Sequence, residues 1–174
     1  MTTRCEPHRN ARLLVPATLA LALSGCGFHL AGSGTLPGAM QTTYLESSEP
    51  RSEFSRSLRD ELRRRGLQLA DSAASAGARL IISEDTSGQS VLSVSSRNIP
   101  REYEVYYAVT FELLAEGRTL VEPESLVVRR NYTFDETQVL GKEREESQLR
   151  QSLAEDLARQ VIRRIEAYAA SRGP

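Results

Sequence analysis

Cysteine, histidine, tryptophan and lysine are scarce in this 174-residue sequence, and each scarcity excludes something. Cysteine occurs only as Cys5 and Cys26, so a disulfide framework is ruled out, and a chain cut after Gly25 would keep a single thiol at its N-terminus. Histidine occurs only as His8 and His29, too few and too near the N-terminus for a hydrolytic triad or a histidine-rich metal site. Tryptophan is absent, and Lys142 is the only lysine. Charge of one sign is missing too: 22 Lys and Arg face 23 Asp and Glu, so there is no bulk basic field to draw the chain onto nucleic acid. No apolar run is long enough to span a membrane, which takes about 20 residues.

The longest apolar run is Leu13 to Leu23, eleven residues that include Pro16, preceded by a polar segment with Arg4, Arg9 and Arg12. That order and length describe a signal-peptide core. Leu23-Ser24-Gly25-Cys26 follows directly and looks like a lipobox, with small residues before the cut and a thiol to take the lipid. Residues 1–25 are therefore expected to be a lipoprotein signal peptide, with Cys26 the lipid-attachment residue. Removing them leaves a net charge of about -3. Acyl chains contribute about 0.8 kcal/mol per buried methylene, so more than one chain on Cys26 would hold the protein stably on a membrane.

Residues 26–39 are glycine-rich, with a Pro37-Gly38 turn signal, and read as a lipidated flexible tether; residues 40–174 read as one domain. Residues 41–46 are a short strand candidate. Phe54, Leu58 and Leu62 then fall on one face of a helix, closed by Arg63 to Arg65 and Gly66. Leu67 to Leu69 is strand or loop, and Asp71 to Gly77 is turn-like. Residues 78–83 form a strand, while 90–96 either continue it past a bend near Gly88 or belong to a hairpin. The clearest strand is Tyr103 to Leu113, where Tyr103, Val105, Tyr107, Val109, Phe111 and Leu113 alternate with a mostly polar set. A turn at 115–118 returns a second strand over 119–135, broken around Pro123. Glu143 to Ala170 is a long helix with Leu149, Leu153, Leu157, Val161, Ile165 and Tyr168 on its apolar side. The expected fold class is α+β: two helices packed on one face of a mostly antiparallel four-stranded sheet, in the order β-α-β-β-β-α.

Candidate chemistry is sparse. Gly32-Ser33-Gly34 lacks the strand and helix of a phosphate loop, and Glu143, Glu145 and Glu146 suit a helix N-terminus better than acid-base work. No catalytic residue, metal ligand or cofactor site is expected. Arg97, Arg101, Arg129, Arg130 and Lys142 could gather into an anion site or simply form a solvated face. Tyr106, on the polar phase of its strand, is the aromatic side chain best placed for an external contact.

Taken together, Gly25-Cys26-Gly27-Phe28-His29-Leu30, Leu36-Pro37, Glu102-Tyr103 and Leu140-Gly141-Lys142, in that element order, resemble the lipopolysaccharide-assembly lipoprotein family LptE. The resemblance implies a non-enzymatic partner of the outer-membrane β-barrel LptD, lodged in the barrel as a plug and helping it assemble. It implies delivery of lipopolysaccharide to the outer leaflet, with Arg97 and Lys142 matching by position the basic residues that contact this anionic lipid. Gly27 in place of an aspartate implies transfer to the outer membrane, on its periplasmic side. A second class remains open at the level of sequence: an outer-membrane lipoprotein that carries a lipid or other envelope component without a barrel partner.

Overall fold

The computed structural model describes residues 35–134 and 139–171. Strand β1 (Thr42–Ser47) leads into helix α1 (Glu53–Arg64), then the two-residue strand β2 (Gln68–Leu69). Three long strands follow: β3 (Ala78–Val94), β4 (Pro100–Ala115) and β5 (Arg118–Thr133). Helix α2 (Val139–Ser171) ends the described chain. The strands lie in the order β2-β1-β3-β4-β5.

Two features differ from the sequence expectation. The sheet has five strands, not four, and it is mixed: β1 runs parallel to both β2 and β3, whereas β3, β4 and β5 are antiparallel. The parallel part follows from α1, which carries the chain back so that β3 enters alongside β1 in the same direction. Strand β2 is two residues long, too short to show any alternation in the sequence.

Helix α1 forms where expected because its ends are specified locally. Ser52 caps it, its hydroxyl accepting from the Ser55 amide at 2.9 Å, and Glu53 occupies the positive first turn. At the other end Gly66 has φ 79°, and Leu67 N–H donates to the Leu62 carbonyl at 3.1 Å while Gly66 N–H donates to Arg63 at 2.9 Å. That pair of bonds closes the helix in a Schellman motif.

Both helices cover one face of the sheet. Phe54, Leu58 and Leu62 from α1 and Leu153, Leu157, Val161 and Ile165 from α2 are buried with Leu80, Ile82, Val105, Tyr107, Val109, Phe111 and Leu113 from the strands. Ala154, Ala158 and Ile162 are buried as well, so the apolar stripe of α2 is broader than every fourth residue. The width is needed because α2 packs against α1 as well as against β4 and β5.

Strand β3 is continuous to Val94 and its end pairs with β4, so residues 90–94 both extend the strand and belong to a hairpin. Its register shifts between Ile82 and Glu84, leaving Ser83 as an extra residue. This bulge reverses the inward phase: Ala78, Leu80 and Ile82 face the core before it, and Asp85, opposite Val109, faces the core after it. In β5 the pairing jumps from Phe111↔Glu124 to Leu113↔Val121, so Pro123 sits at a bulge on an edge strand, where its missing N–H costs least.

Candidate functional site

The half of the sheet beyond the Ser83 bulge carries polar groups on its inward face, and each finds a partner. Tyr107 hydroxyl donates to Asp85 Oδ1 at 2.9 Å, and Ser52 hydroxyl donates to Asp85 Oδ2. The Phe54 amide donates to the Tyr107 oxygen at 3.3 Å. One small network thus joins the N-terminus of α1 to β3 and β4. Burial first, then the negative charge of Asp85, push the Tyr107 phenol well above the ordinary tyrosine range. Farther along β3, Ser87 accepts from Arg150 at 3.1 Å and Gln89 accepts from Tyr132 at 3.1 Å.

These contacts fix where α2 begins relative to the strands. Arg150 reaches Ser87, and Tyr132 lies in the field of Glu146 and Glu145, which with burial as the larger cause raises its pKa. Tyr132 pairs with Tyr103, which in turn lies opposite Val91. The rings of Tyr103 and Tyr132 stack with centroids 5.6 Å apart, and Phe134 meets Tyr103 edge-on at 5.4 Å. The first turns of α2, which carry Lys142, are thereby at the same end of the molecule as the β3–β4 tip, which carries Arg97.

The tip is a tight, hydrogen-bonded turn. Ser95 N–H donates to the Ile99 carbonyl at 2.7 Å, Asn98 N–H donates to the Ser95 carbonyl at 2.9 Å, and Ile99 N–H donates to the Ser95 hydroxyl at 3.2 Å. Asn98 adopts φ 62°, a left-handed conformation that asparagine tolerates better than most side chains. Arg97 is exposed on this turn. Among the described residues, neither Arg97 nor Arg101 forms an ion pair, whereas the nearby Glu104 pairs with Arg129 at 3.4 Å.

Lys142 is placed differently. Its Nζ lies 2.8 Å from Glu145 Oε2 and its side chain is only one-fifth exposed, so its charge is already partly compensated. Arg130 pairs with Asp156 at 3.4 Å, tying β5 to α2 rather than joining an anion site. Of the five cations singled out from sequence, the structure keeps Arg97 and Arg101 together and unpaired, brings Lys142 to the same end, and commits Arg129 and Arg130 elsewhere. Sequence reasoning missed three side chains at the tip, Val91, Leu92 and Val94, which are about half exposed. Their signal was the apolar stretch beside two arginines with no carboxylate from Val91 to Arg101.

The sheet face away from the helices is the other open surface among the described residues. Tyr106 lies across it over Gly88: a Cβ on that glycine would fall 2.6 Å from the Tyr106 hydroxyl oxygen. Around Tyr106 are Ala108, the 45 % exposed Val127, the Glu104–Arg129 pair and a hydroxyl pair, Thr110 and Ser125, at 2.8 Å. Glu46 and Arg79 pair at 2.7 Å toward β1. The face is thus mixed: Glu46 and Glu104 have arginine partners, whereas Glu84 accepts only from the Thr110 hydroxyl and Glu112 has no ion pair among the described residues.

Cys26 and His29 lie outside the described residues. Among the described residues no cluster of His, Cys, Asp and Glu could hold a metal ion, and no helix is long and apolar enough to cross a membrane.

Comparison with known proteins agrees with this geometry. The chain is 28% identical over 155 residues to the LPS-assembly lipoprotein LptE of Pectobacterium atrosepticum, covering 87% of this chain and 83% of that protein. It is 30% identical over 159 residues to the protein of the same name from Yersinia pestis, covering 91% and 76%. Among solved structures it resembles the rare lipoprotein B of Shewanella oneidensis, with TM-score 0.66, 25% identity and coverage of 75% of this chain and 97% of that one. The lipoprotein B of Nitrosomonas europaea shares the fold with TM-score 0.67 at 24% identity, covering 83% and 93%. A sequence model of the family described as LptE, lipopolysaccharide-assembly, matches residues 40–165, and the chain belongs to this family of non-enzymatic envelope lipoproteins.

Proposed function

We propose that this protein is an outer-membrane lipoprotein, anchored on the periplasmic side through Cys26, that lodges in the β-barrel LptD as a plug, helps it assemble and takes part in delivering lipopolysaccharide to the outer leaflet. Lipopolysaccharide assembly is the role named for its relatives in Pectobacterium and Yersinia. Arg97 and Lys142 are the residues proposed to touch the anionic lipid, Arg97 as the principal contact and Lys142 as a weaker one, because Glu145 already holds its ammonium.

The observation that carries the plug reading is the uncovered sheet face. A two-layer domain normally has its second sheet face in water, and a barrel lumen is likewise polar. The Glu104–Arg129 and Thr110–Ser125 pairs can meet a polar wall with their own partners in place, Glu84 and Glu112 would take donors from that wall, and Tyr106 and Val127 supply the apolar contact. Carriage of a lipid inside the domain fits less well. The space between helices and sheet is filled by Phe54, Tyr107, Phe111 and their neighbours. The cleft between α1 and α2, about 350 Å³, is lined by Glu53, Arg56, Asp60, Gln151 and Glu155.

A photo-crosslinking side chain at Val127 of the full-length protein in intact cells tests the plug. The expected product is a covalent adduct with an outer-membrane β-barrel protein of LptD mass. Recovery of uncrosslinked chain, or of lipid adducts alone, would refute this placement.

A further inference from the structure

Two long stretches of strand backbone have no strand neighbour on one side among the described residues: the outer edge of β5 and the far half of β3. Strand β1 pairs with β3 only from Ala78 to Ile82, and the Ser48 N–H, which donates to the Ile82 carbonyl at 3.1 Å, makes the last backbone contact on that side. From Glu84 to Val94, β3 is paired with β4 alone.

The sequence treats these two edges differently. Strand β5 carries Arg118, Glu122, Glu124, Arg129 and Arg130, with Pro123 at its bulge. Charges and proline are the usual means of keeping an edge from pairing with another chain. Residues Thr86 to Val94 of β3 have no charged side chain and no proline, and Val91, Leu92 and Val94 among them are about half exposed. A row of open amide and carbonyl groups flanked by aliphatic side chains fits another extended polypeptide, whose backbone completes the hydrogen bonds as a lipid cannot.

We propose that the occupant is a second copy of this chain: two β3 edges pair antiparallel about a two-fold axis at Ser90 and join two sheets into one. The edge is complementary to itself. Full overlap of Thr86 to Val94 centres on Ser90, so Gln89 of one copy meets Val91 of the other, and Gly88 meets Leu92. Gly88 has no side chain and the Tyr106 ring lies over it, a Cβ there falling 2.6 Å from the Tyr106 hydroxyl oxygen. Leu92 of the second copy therefore packs on an aromatic ring, a favourable cross-strand contact.

Charge follows the same register. The Ser95–Ile99 turn of one copy is carried to Glu84 of the other, beyond the bulge at Leu92. Glu84 accepts only from the Thr110 hydroxyl, at 2.9 Å, and Arg97 on the turn has no ion pair among the described residues. Each copy supplies the charge that the other lacks, twice across the two-fold axis. Glu102, on the neighbouring strand, already holds the Ser93 hydroxyl of its own copy at 3.0 Å.

The contact is small. A stable interface takes roughly 20–30 residues a side, more than this edge offers, so the dimer forms with a Kd on the order of micromolar. It is a holding state of the free lipoprotein, covering an unguarded edge until a tighter partner takes the monomer. It stands independently of the barrel reading.

The test is disulfide trapping of the full-length protein in the oxidising periplasm. Residues directly opposite in an antiparallel pair have Cα atoms about 4.5–5.5 Å apart, within reach of a disulfide. Ser90→Cys should give a chain-to-chain dimer, with the parent chain, whose cysteines are Cys5 and Cys26, as the blank and Glu122→Cys on the β5 edge as the control. Adding Glu84→Arg or Arg97→Glu should lower the Ser90→Cys yield about tenfold, since two exposed pairs turn repulsive, and combining both reversals should restore it. That rescue is a readout that damage to the fold cannot produce. A Ser90→Cys yield no higher than that of Glu122→Cys, a disulfide to a different protein, or no recovery in the combined reversal would overturn the proposal.

Discussion

The hydroxyl of Tyr107 on β4 donates to the carboxylate of Asp85 on β3 at 2.9 Å, across the strand pair and directly under the first turn of α1. Through Ser52 and the Phe54 amide the same two residues hold the helix N-terminus, so the crossover that makes the sheet mixed is pinned by a polar knot inside the core.

Tyr107→Phe should therefore destabilise the protein by about 1–3 kcal/mol, the cost of leaving a buried carboxylate short of a donor, measured by urea unfolding at neutral pH. The phenol titrates higher in the fold than in the unfolded chain, so its contribution is complete below about pH 10, the unfolded value, and is lost as pH rises from there toward the folded value. The variant should show a shallower alkaline loss of stability than the parent.

Glu61 gives the opposite sign. Burial opposes its ionisation, but hydrogen bonds from Arg64 and Arg65 outweigh burial and hold its carboxyl below the ordinary range. Arg65 also pairs with Glu166, linking α1 to α2. The stabilisation from Glu61 is present above about pH 4.5 and is lost as pH falls through the lower folded value. Glu61→Gln should flatten the acid limb of a stability-versus-pH curve; an unchanged limb would assign the acid sensitivity to other carboxylates.

Gly88→Val tests the open sheet face. A side chain there forces the Tyr106 ring to lift, which the half-buried tyrosine can do, so stability should change by no more than about 1 kcal/mol. Tyr106 should become more reactive to nitration, read by mass spectrometry, and recovery of the barrel partner should fall. Unchanged recovery would move the barrel contact to another surface.

Arg97→Glu and Lys142→Glu should not be equivalent. Arg97 has no ion pair among the described residues, and reversing it should lower affinity for lipopolysaccharide by about tenfold while leaving stability within about 0.5 kcal/mol. Lys142 already contacts Glu145, so its reversal should cost less lipid affinity and more local helix stability. Equal binding losses would show that the Glu145 contact does not matter to the site.

The parts of the fold legible in the sequence are those where one periodicity runs uninterrupted. Tyr103 to Leu113 alternates along its whole length because the helices cover one face of β4 throughout, and α1 has both its cap and its glycine stop. The far half of β3 is illegible for a physical reason: the Ser83 bulge shifts the inward phase onto Asp85, Ser87 and Gln89, polar residues whose partners Tyr107, Ser52, Arg150 and Tyr132 come from distant segments. Strand β2 had too few residues to declare itself. Arg97 and Lys142 came from family resemblance, whereas the exposure of Val91, Leu92 and Val94 needed the structure, because the β3–β4 register shifts on either side of the Ser93–Glu102 pair and breaks the alternation there.

Cys26→Ala should weaken retention in the membrane fraction, leaving it to the barrel contact alone, without altering the urea midpoint of the domain, since each acyl methylene would contribute about 0.8 kcal/mol to anchoring and none to the core. A shifted midpoint would make the N-terminal segment part of the fold.

The most direct measurement is stoichiometry. A C-terminal tag on the full-length protein, mild-detergent extraction of the envelope and native mass determination should give a one-to-one complex with an outer-membrane β-barrel protein. Recovery of the lipoprotein alone, under conditions that keep other envelope complexes intact, would contradict the account.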